Sequence, residues 1–341
     1  MGLQITDIVP KKEIELGDLK GKTIAVDAFN VIYQFLSTIR QPDGTPLMDS
    51  KKRVTSHLSG LFYRNIHLLQ EGIKLVYVFD GEHPELKKRT HEKRQEQKDI
   101  AKEKYERAVE SEDIAGMGKY SRSLIGLDEE KINESKELLK AMGIAVVQAP
   151  GEGEAQASYI CKQGEVYAAA SQDYDCLLFE TPLLIQNLTL AKKRKTVSGY
   201  VEVKPQLIEL KGVLKELDIN QEQLITIGVL SGTDYNSGGI LGIGPKKALK
   251  LVKEHKTAEA VFKFLESDEK FKDKIWFDWK EIFELMKNPD VDKNCKIEFP
   301  KMNFEKIKSI LMEHDFSEER IESQFDKLRE VKEKSKQKTL F

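Results

Sequence analysis

Cysteine is scarce in this chain, and its scarcity removes whole classes of chemistry. Cys161, Cys176 and Cys295 are the three cysteines in 341 residues. Their spacing fits no metal-ligand pattern and no disulfide framework, so they read as reduced thiols of an intracellular protein. No apolar run approaches the length of a membrane span. The N-terminus, MGLQITDIVPKK, lacks the charged-then-apolar order of a signal peptide, and its context argues against myristoylation. No internal repeat is visible. At this length, with 40% hydrophobic and 33% charged residues, the chain reads as a charge-rich globular protein with a full core in one or two lobes.

What stands out instead is acid in unusual places. Asp27 closes KTIAVD and Asp80 closes KLVYVFD; Glu152 and Glu154 sit in PGEGEAQA. Asp173 and Asp175 follow VYAAAS, and Asp234 follows ITIGVLSGT. Each ends or follows an apolar run, or lies in a Gly-rich turn, and no histidine accompanies them. Oxygen-only donors call for a hard cation, Mg²⁺ or Mn²⁺ rather than zinc. That points to metal-assisted chemistry on phosphate esters. Four acids delivered to one patch repel one another and take up protons unless cations neutralise them. Any one of these acids alone reads equally well as a helix cap or a solvated loop end; the set does not.

The net charge of -2 conceals local asymmetry. Residues Lys87 to Arg107 carry nine basic and five acidic side chains. Lys192 to Lys195 (KKRK) form a second basic block, and Lys246, Lys247, Lys250 and Lys253 a third. Acids at strand ends with bases elsewhere suit a polyanion gripped beside a metal site.

Strand and helix signals alternate. KTIAVD, KLVYVFDG, AVVQA and VYAAASQDYD read as buried strands, with LLIQNLTL and GYVEVK as further strands. NVIYQFLSTI continues from the first strand as a helix, and VTSHLSGLFYRNIHLLQEG is a helix ending at Gly72. Arg40 to Ser50 is a loop. DEEKINESKELLKAMGI is a helix capped by Asp128 and closed at Gly143. The charged stretch from Glu82 to about Leu127 predicts a projecting helical arch or lid, and from Gln221 onwards the chain reads as largely helical. This order predicts an α/β fold with a mixed, mainly parallel central sheet flanked by helices, with ligands at the carboxyl ends of its strands. Glu152 and Glu154 are predicted to converge in the turn at a helix start. Asp173 and Asp175 are predicted to share a face of a continuing strand.

VDAFNVIYQFL, VFDG, PGEGEAQASY, SQDYDCLLF and SGTDYNSGGILGIGPKKAL together resemble the flap endonucleases of the XPG-type 5′ nucleases. The likeness spans almost the whole chain, in order, and looks more archaeal than eukaryotic. It implies a PIN-like nuclease core with a helical arch and a helix–two-turn–helix region. The corresponding divisions are an N-terminal nuclease region over 1–98 and the rest of the arch over 99–127. An internal nuclease region with the helix–two-turn–helix covers 128–258, a C-terminal helical part 259–330, and a tail 331–341. By the same resemblance all seven acids hold two Mg²⁺ ions, with Mn²⁺ able to substitute. Asp27, Asp80, Glu152 and Glu154 look like an inner group completed by Asp173, Asp175 and Asp234. Lys87 and Arg94 correspond to a catalytic basic pair at the base of the arch, contacting the scissile phosphate.

Branched DNA, a 5′ flap or double flap, is the implied partner. Tyr33 resembles an aromatic that stacks on an unpaired base, and Gly2 a small residue close to the DNA path. The segment Arg40 to Arg64 resembles the wedge that bends the substrate, and Glu152 and Asp234 border the DNA path as well as the metals. Gly242, Gly244, Lys246 and Lys247 resemble a phosphate-binding turn with a bridging K⁺; a P-loop is excluded because Pro245 follows the glycines and no Gly-Lys-Ser/Thr does. The segment from Phe316 resembles a late helix that helps hold a one-nucleotide 3′ flap. Gln337, Leu340 and Phe341 resemble an incomplete sliding-clamp (PCNA) box. The implied protein is a monomeric structure-specific 5′ flap endonuclease with 5′–3′ exonuclease activity, cytoplasmic and nucleoid-associated, acting in DNA replication and repair. A haloacid-dehalogenase-like phosphatase needs a second Asp where Phe29 stands. An inactive DNA-junction or clamp-binding scaffold has no use for the acids.

Overall fold

The apolar runs that stop at Asp27 and Asp80 become strands whose carboxyl ends open into a helix or turn, whereas the run before Asp234 is a helix. In this computed structural model residues 3, 5–41, 44–82, 99–100, 103–104, 107, 126–190, 193–196 and 199–338 are described. In chain order come β1 (Lys12–Glu13), β2 (Thr23–Asp27), α1 (Ala28–Thr38), α2 (Ser56–Gln70), β3 (Lys74–Phe79), α3 (Glu129–Ala141) and β4 (Ala145–Gln148). Next are α4 (Gly153–Lys162), β5 (Ala168–Ala170), the single turn α5 (Asp175–Leu178), β6 (Leu183–Gln186), β7 (Lys193–Thr196), β8 (Gly199–Glu202) and β9 (Gln206–Glu209). Helices follow: α6 (Leu210–Leu217), α7 (Gln221–Ser231), α8 (Pro245–His255), α9 (Ala258–Ser267), α10 (Trp279–Lys287), α11 (Phe304–Glu313) and α12 (Glu318–Lys338).

Seven of the strands form one sheet in the order β1-β9-β6-β5-β2-β3-β4. The five from β6 to β4 run parallel, and β9 and β1 add an antiparallel margin. β7 and β8 pair separately as a hairpin. The parallel strands are apolar between their ends because helices cover both faces. Ile24, Val26, Leu75, Tyr77 and Phe79 point to the side of α1, α2 and α3, while Ala25, Val76, Val78 and Ala169 face Ala157 and Ile160 of α4. The alanines on that second face let α4 pack close to the sheet.

β2 lies between β5 and β3 and is parallel to both. The chain moves outward from β2 to β3 and β4, then crosses back to β5 on the other side. The connections therefore diverge at the carboxyl ends of the adjacent strands β2 and β5, the place where open parallel sheets bind ligands, with the end of β3 next to it. Asp27, Asp80 and the Ser171–Asp175 turn all sit there.

The mainly parallel sheet and the Asp128-capped helix closing at Gly143 follow the sequence reading; Asp128 accepts from Lys131 N, and Gly143 sits at φ 78°. One expectation fails. β5 stops at Ala170 and Asp175 opens α5, so Asp173 and Asp175 do not share a strand face. A tight turn brings them together instead. Nearly all of the proposed arch lies outside the described residues. Among those residues no helix is long and apolar enough to cross a membrane.

Candidate active site

The carboxylates are gathered by the short links that leave the strands. Asp27 is the N-cap of α1, and its Oδ1 accepts from Asn30 N at 3.2 Å. Asn30 in turn donates from Nδ2 to Asp173 Oδ2 at 3.0 Å, and its Oδ1 accepts from Gln172 N at 3.3 Å. The first turn of α1 thus fixes the acid that follows β5. Ser171 stands at the centre. Its hydroxyl donates to Glu154 Oε1 at 2.6 Å and lies 3.3 Å from Asp27 Oδ2.

Asp80, just past β3, accepts from Gly153 N at 2.8 Å, so the first amide of α4, which has no acceptor within the helix, donates to this carboxylate. Glycine is required at that position by space: a Cβ would fall 2.6 Å from Asp80 Oδ1 and 3.0 Å from Val78 O. Gly153→Ala is therefore expected to push Asp80 aside and to lower cleavage by about 100-fold, the usual penalty for a misplacement near 1 Å. Single-turnover rates on flap DNA check this, with a circular-dichroism melt to confirm folding.

A second group lies alongside. Asp175 is buried and its Oδ1 accepts from Leu3 N at 3.1 Å. Glu152 is the N-cap of α4 and accepts a hydrogen bond from the Tyr235 hydroxyl. Asp234 belongs to the turn that follows α7. That turn is locked by buried Asn236, whose Oδ1 accepts from Thr233 N at 3.0 Å and Thr233 Oγ1 at 2.8 Å while its Nδ2 donates to Val229 O at 2.7 Å.

The electrostatics join the two groups. Burial, then the Asp80 charge, pushes the Asp27 carboxyl up to about 7. Glu154 is raised well above the usual carboxylate range by burial and by the charges of Asp27, Asp173 and Asp175. Asp175 is likewise raised, by burial and then by Asp234, Asp173 and Glu152. Asp173 acts on all three, which makes it the link between Asp27, Asp80 and Glu154 on one side and Asp175, Asp234 and Glu152 on the other.

All seven predicted acids thus meet in one electrostatic patch. Among the described residues no three or more acidic, His or Cys side chains are already arranged to hold a metal ion; Asp27, Asp80, Glu152, Glu154, Asp173 and Asp175 accept hydrogen bonds from amide or hydroxyl donors of the chain. The donor set nonetheless fits hard divalent cations. Its atoms are oxygens, and the self-repulsion that raises these carboxyls is what a cation relieves.

The remaining predicted residues are spread more widely. Tyr33 on α1 is 40% exposed. The Arg40 guanidinium donates to the carbonyls of Ser37, Gly44 and Leu36 at 3.1, 2.8 and 3.3 Å, tying its loop to the end of α1. Arg64 lies on α2, partly buried, and burial lowers its pKa. Gly242 at φ 90° and Gly244, the N-cap of α8, form the turn that leads into Pro245, Lys246 and Lys247. Lys247 Nζ sits 4.1 Å from the centre of the Phe271 ring. Gly2, Lys87, Arg94, Leu340 and Phe341 lie outside the described residues, and Gln337 falls in the last turns of α12.

Four groups escaped the sequence reading: Asn30, Ser171, Tyr235 and the Leu3 amide. Asn30 carried a local signal, three residues after an Asp that ends a strand. The others act across long separations and had none.

Residues 3–101 match the XPG N-terminal domain, and residues 143–234 match the XPG I-region. The chain is 51% identical over 343 residues to flap endonuclease 1 of Pyrococcus furiosus, covering 100% of this chain and 98% of that protein. It is 49% identical over 332 residues to flap endonuclease 1 of Saccharolobus solfataricus, covering 96% and 94%. The solved flap endonuclease-1 from Methanococcus jannaschii superposes with a TM-score of 0.75 at 40% identity, over 97% of this chain and 98% of that one. The catalytic core of Rad2 in complex with DNA substrate shares the fold, with a TM-score of 0.71 at 23% identity over 96% of this chain and 100% of that one. Identity of this order along the full length, on a fold that gathers the seven acids at the carboxyl edge of its sheet, places the chain in the flap endonuclease family of XPG nucleases.

Proposed function

We propose that this protein hydrolyses a DNA phosphodiester at the base of a 5′ single-stranded flap, with accompanying 5′–3′ exonuclease activity, in Okazaki-fragment maturation and repair. The observation that carries the reading is the convergence of seven carboxylates at the carboxyl ends of β2, β3 and β5, where burial and then mutual repulsion raise three of them. A surface that only bound DNA would gain nothing from such charge. Asp27, Asp80, Glu154 and Asp173 would hold one Mg²⁺, and Asp173, Asp175, Asp234 and Glu152 a second; Mn²⁺ suits the same ligands. When bound, the ions supply a water of lowered pKa and neutralise charge at the scissile phosphate.

The chain's own residues orient that chemistry. Asn30 and Ser171 hold Asp27, Asp173 and Glu154 in one mutual arrangement. Lys87 and Arg94 supply positive charge to the reacting phosphate. Tyr33, exposed on α1, offers a face for an unpaired base, an interaction of ~1–3 kcal/mol. Gly242 and Gly244, with a K⁺ and the Lys246 and Lys247 charges, grip duplex phosphates at the start of α8. The Arg40 to Arg64 segment braces the bend at the junction. DNA shape selects the substrate, with little base readout. Gln337, Leu340 and Phe341 dock a sliding clamp, and the enzyme works as a monomer.

A 5′-labelled double-flap duplex tests the reading. The expected result is a single cut at the flap base in Mg²⁺ and none in EDTA. Binding of the duplex without cutting in any divalent ion would leave only the scaffold reading.

A further inference from the structure

Tyr235 is an aromatic side chain in the core whose one polar atom is turned towards the acids. It is 4% exposed, packs in the cluster formed by α5, α7, α8 and α10, and donates its hydroxyl to Glu152, which is 83 residues away in sequence. Glu152 occupies the N-cap of α4 but makes no side-chain capping bond, unlike Asp27 on α1. Its carboxylate is thus released from the usual duty of an N-cap acid and turned towards the phenol.

The turn that carries Tyr235 is built to hold it. Tyr235 N donates to Thr233 Oγ1 at 3.1 Å, and Asn236 clamps Thr233 and the end of α7. Gly232 sits at φ 105°, where a Cβ would fall 2.6 Å from Gly239 N, so the backbone has little freedom to swing. Asp234 is the neighbouring residue in that same turn. One rigid link therefore delivers an acid to the site and steadies another acid from a different helix.

We infer that Tyr235 is a positioning residue: its hydroxyl fixes Glu152 in the orientation a divalent cation needs, acting through that carboxylate and touching neither DNA nor ion. This rests on the divalent-ion reading proposed above. Hydrogen-bond partners of ligating groups characteristically control metal affinity by 10–100-fold. Tyr235 and Glu152 also border a cavity of about 660 Å³ that reaches Asn288 and Asp290 beyond α10. Removing one hydroxyl hardly alters its shape, so an effect of that removal reports on the hydrogen bond.

The test is calorimetric titration of Mn²⁺ into the DNA-free protein, for wild type, Tyr235→Phe, Glu152→Gln and the double variant. Tyr235→Phe is expected to weaken Mn²⁺ binding by roughly 10–100-fold. Its flap cleavage should fall at limiting Mg²⁺ and recover towards wild type at saturating Mg²⁺, with the melting temperature in EDTA little changed. In the Glu152→Gln background the Phe substitution should add almost nothing, since the two residues form one unit. Unchanged Mn²⁺ affinity in Tyr235→Phe, or fully additive losses in the double variant, would overturn the inference. Failure of the wild type to bind Mn²⁺ would instead remove the divalent-ion reading beneath it.

Discussion

Asp175→Asn is expected to reduce single-turnover cleavage by roughly 1,000-fold, the scale on which lost charge stabilisation acts in a catalytic site. Flap-DNA affinity should stay within about threefold, because phosphate contacts by lysine and arginine dominate that term. The melting temperature of the metal-free protein should rise. The same physical fact underlies all three outcomes. Asp175 is buried against Asp234, Asp173 and Glu152, and their charges disfavour its ionised form. Asparagine removes that repulsion and keeps an oxygen for Leu3 N, which the native Oδ1 accepts at 3.1 Å.

Asp175→Ala should be equally inactive but less stable than Asp175→Asn, since a buried amide left unpaired costs about 1–3 kcal/mol. Quenched-flow cleavage, fluorescence anisotropy and melts in EDTA separate these effects. Cleavage near wild type in Asp175→Asn would remove Asp175 from the reacting set.

Much of this site was legible before any coordinates, for a definite reason. An apolar run buried on both sheet faces must end where the sheet ends, and an acid at that point has only the sheet's carboxyl edge to occupy. Asp27 and Asp80 are read this way. Glu152 and Glu154 are read from the glycines around them, which place the pair in the turn at a helix start rather than splayed along the helix. Asp173 and Asp175 were assigned to the right place by the wrong geometry: three alanines suffice for β5, and the chain turns before either acid. β1 and β9 were illegible because two exposed residues and QLIE become strands only by pairing with each other and with β6. Tyr235 stood in plain view beside Asp234. Nothing local to GTDYN says that its hydroxyl meets an acid from another helix, because that contact exists only once the fold brings the turn after α7 to the N-cap of α4.

The acid cluster also predicts how the metal-free fold responds to pH. Burial and Asp80 raise the Asp27 carboxyl from its ordinary value of 3.8 to about 7. Below the lower value both folded and unfolded states are protonated, and Asp27 costs nothing. Between the two the folded state holds the proton more tightly, so stability falls as pH rises; above about 7 the full penalty is present. A shift of that size corresponds to on the order of 4 kcal/mol. Asp27→Asn removes the penalty and retains an N-cap oxygen for Asn30 N, asparagine being as good a cap as aspartate. In EDTA the melting temperature of Asp27→Asn should match wild type near pH 4 and exceed it by on the order of 10 °C at pH 8. Saturating Mg²⁺ should close or reverse the gap, because cations relieve the charge that the substitution deletes. Differential scanning fluorimetry across pH, with and without Mg²⁺, reads both arms. A gap that stays constant from pH 4 to pH 8 would mean that Asp27 is ionised at no cost in the fold, and that the repulsion invoked for this whole cluster is absent.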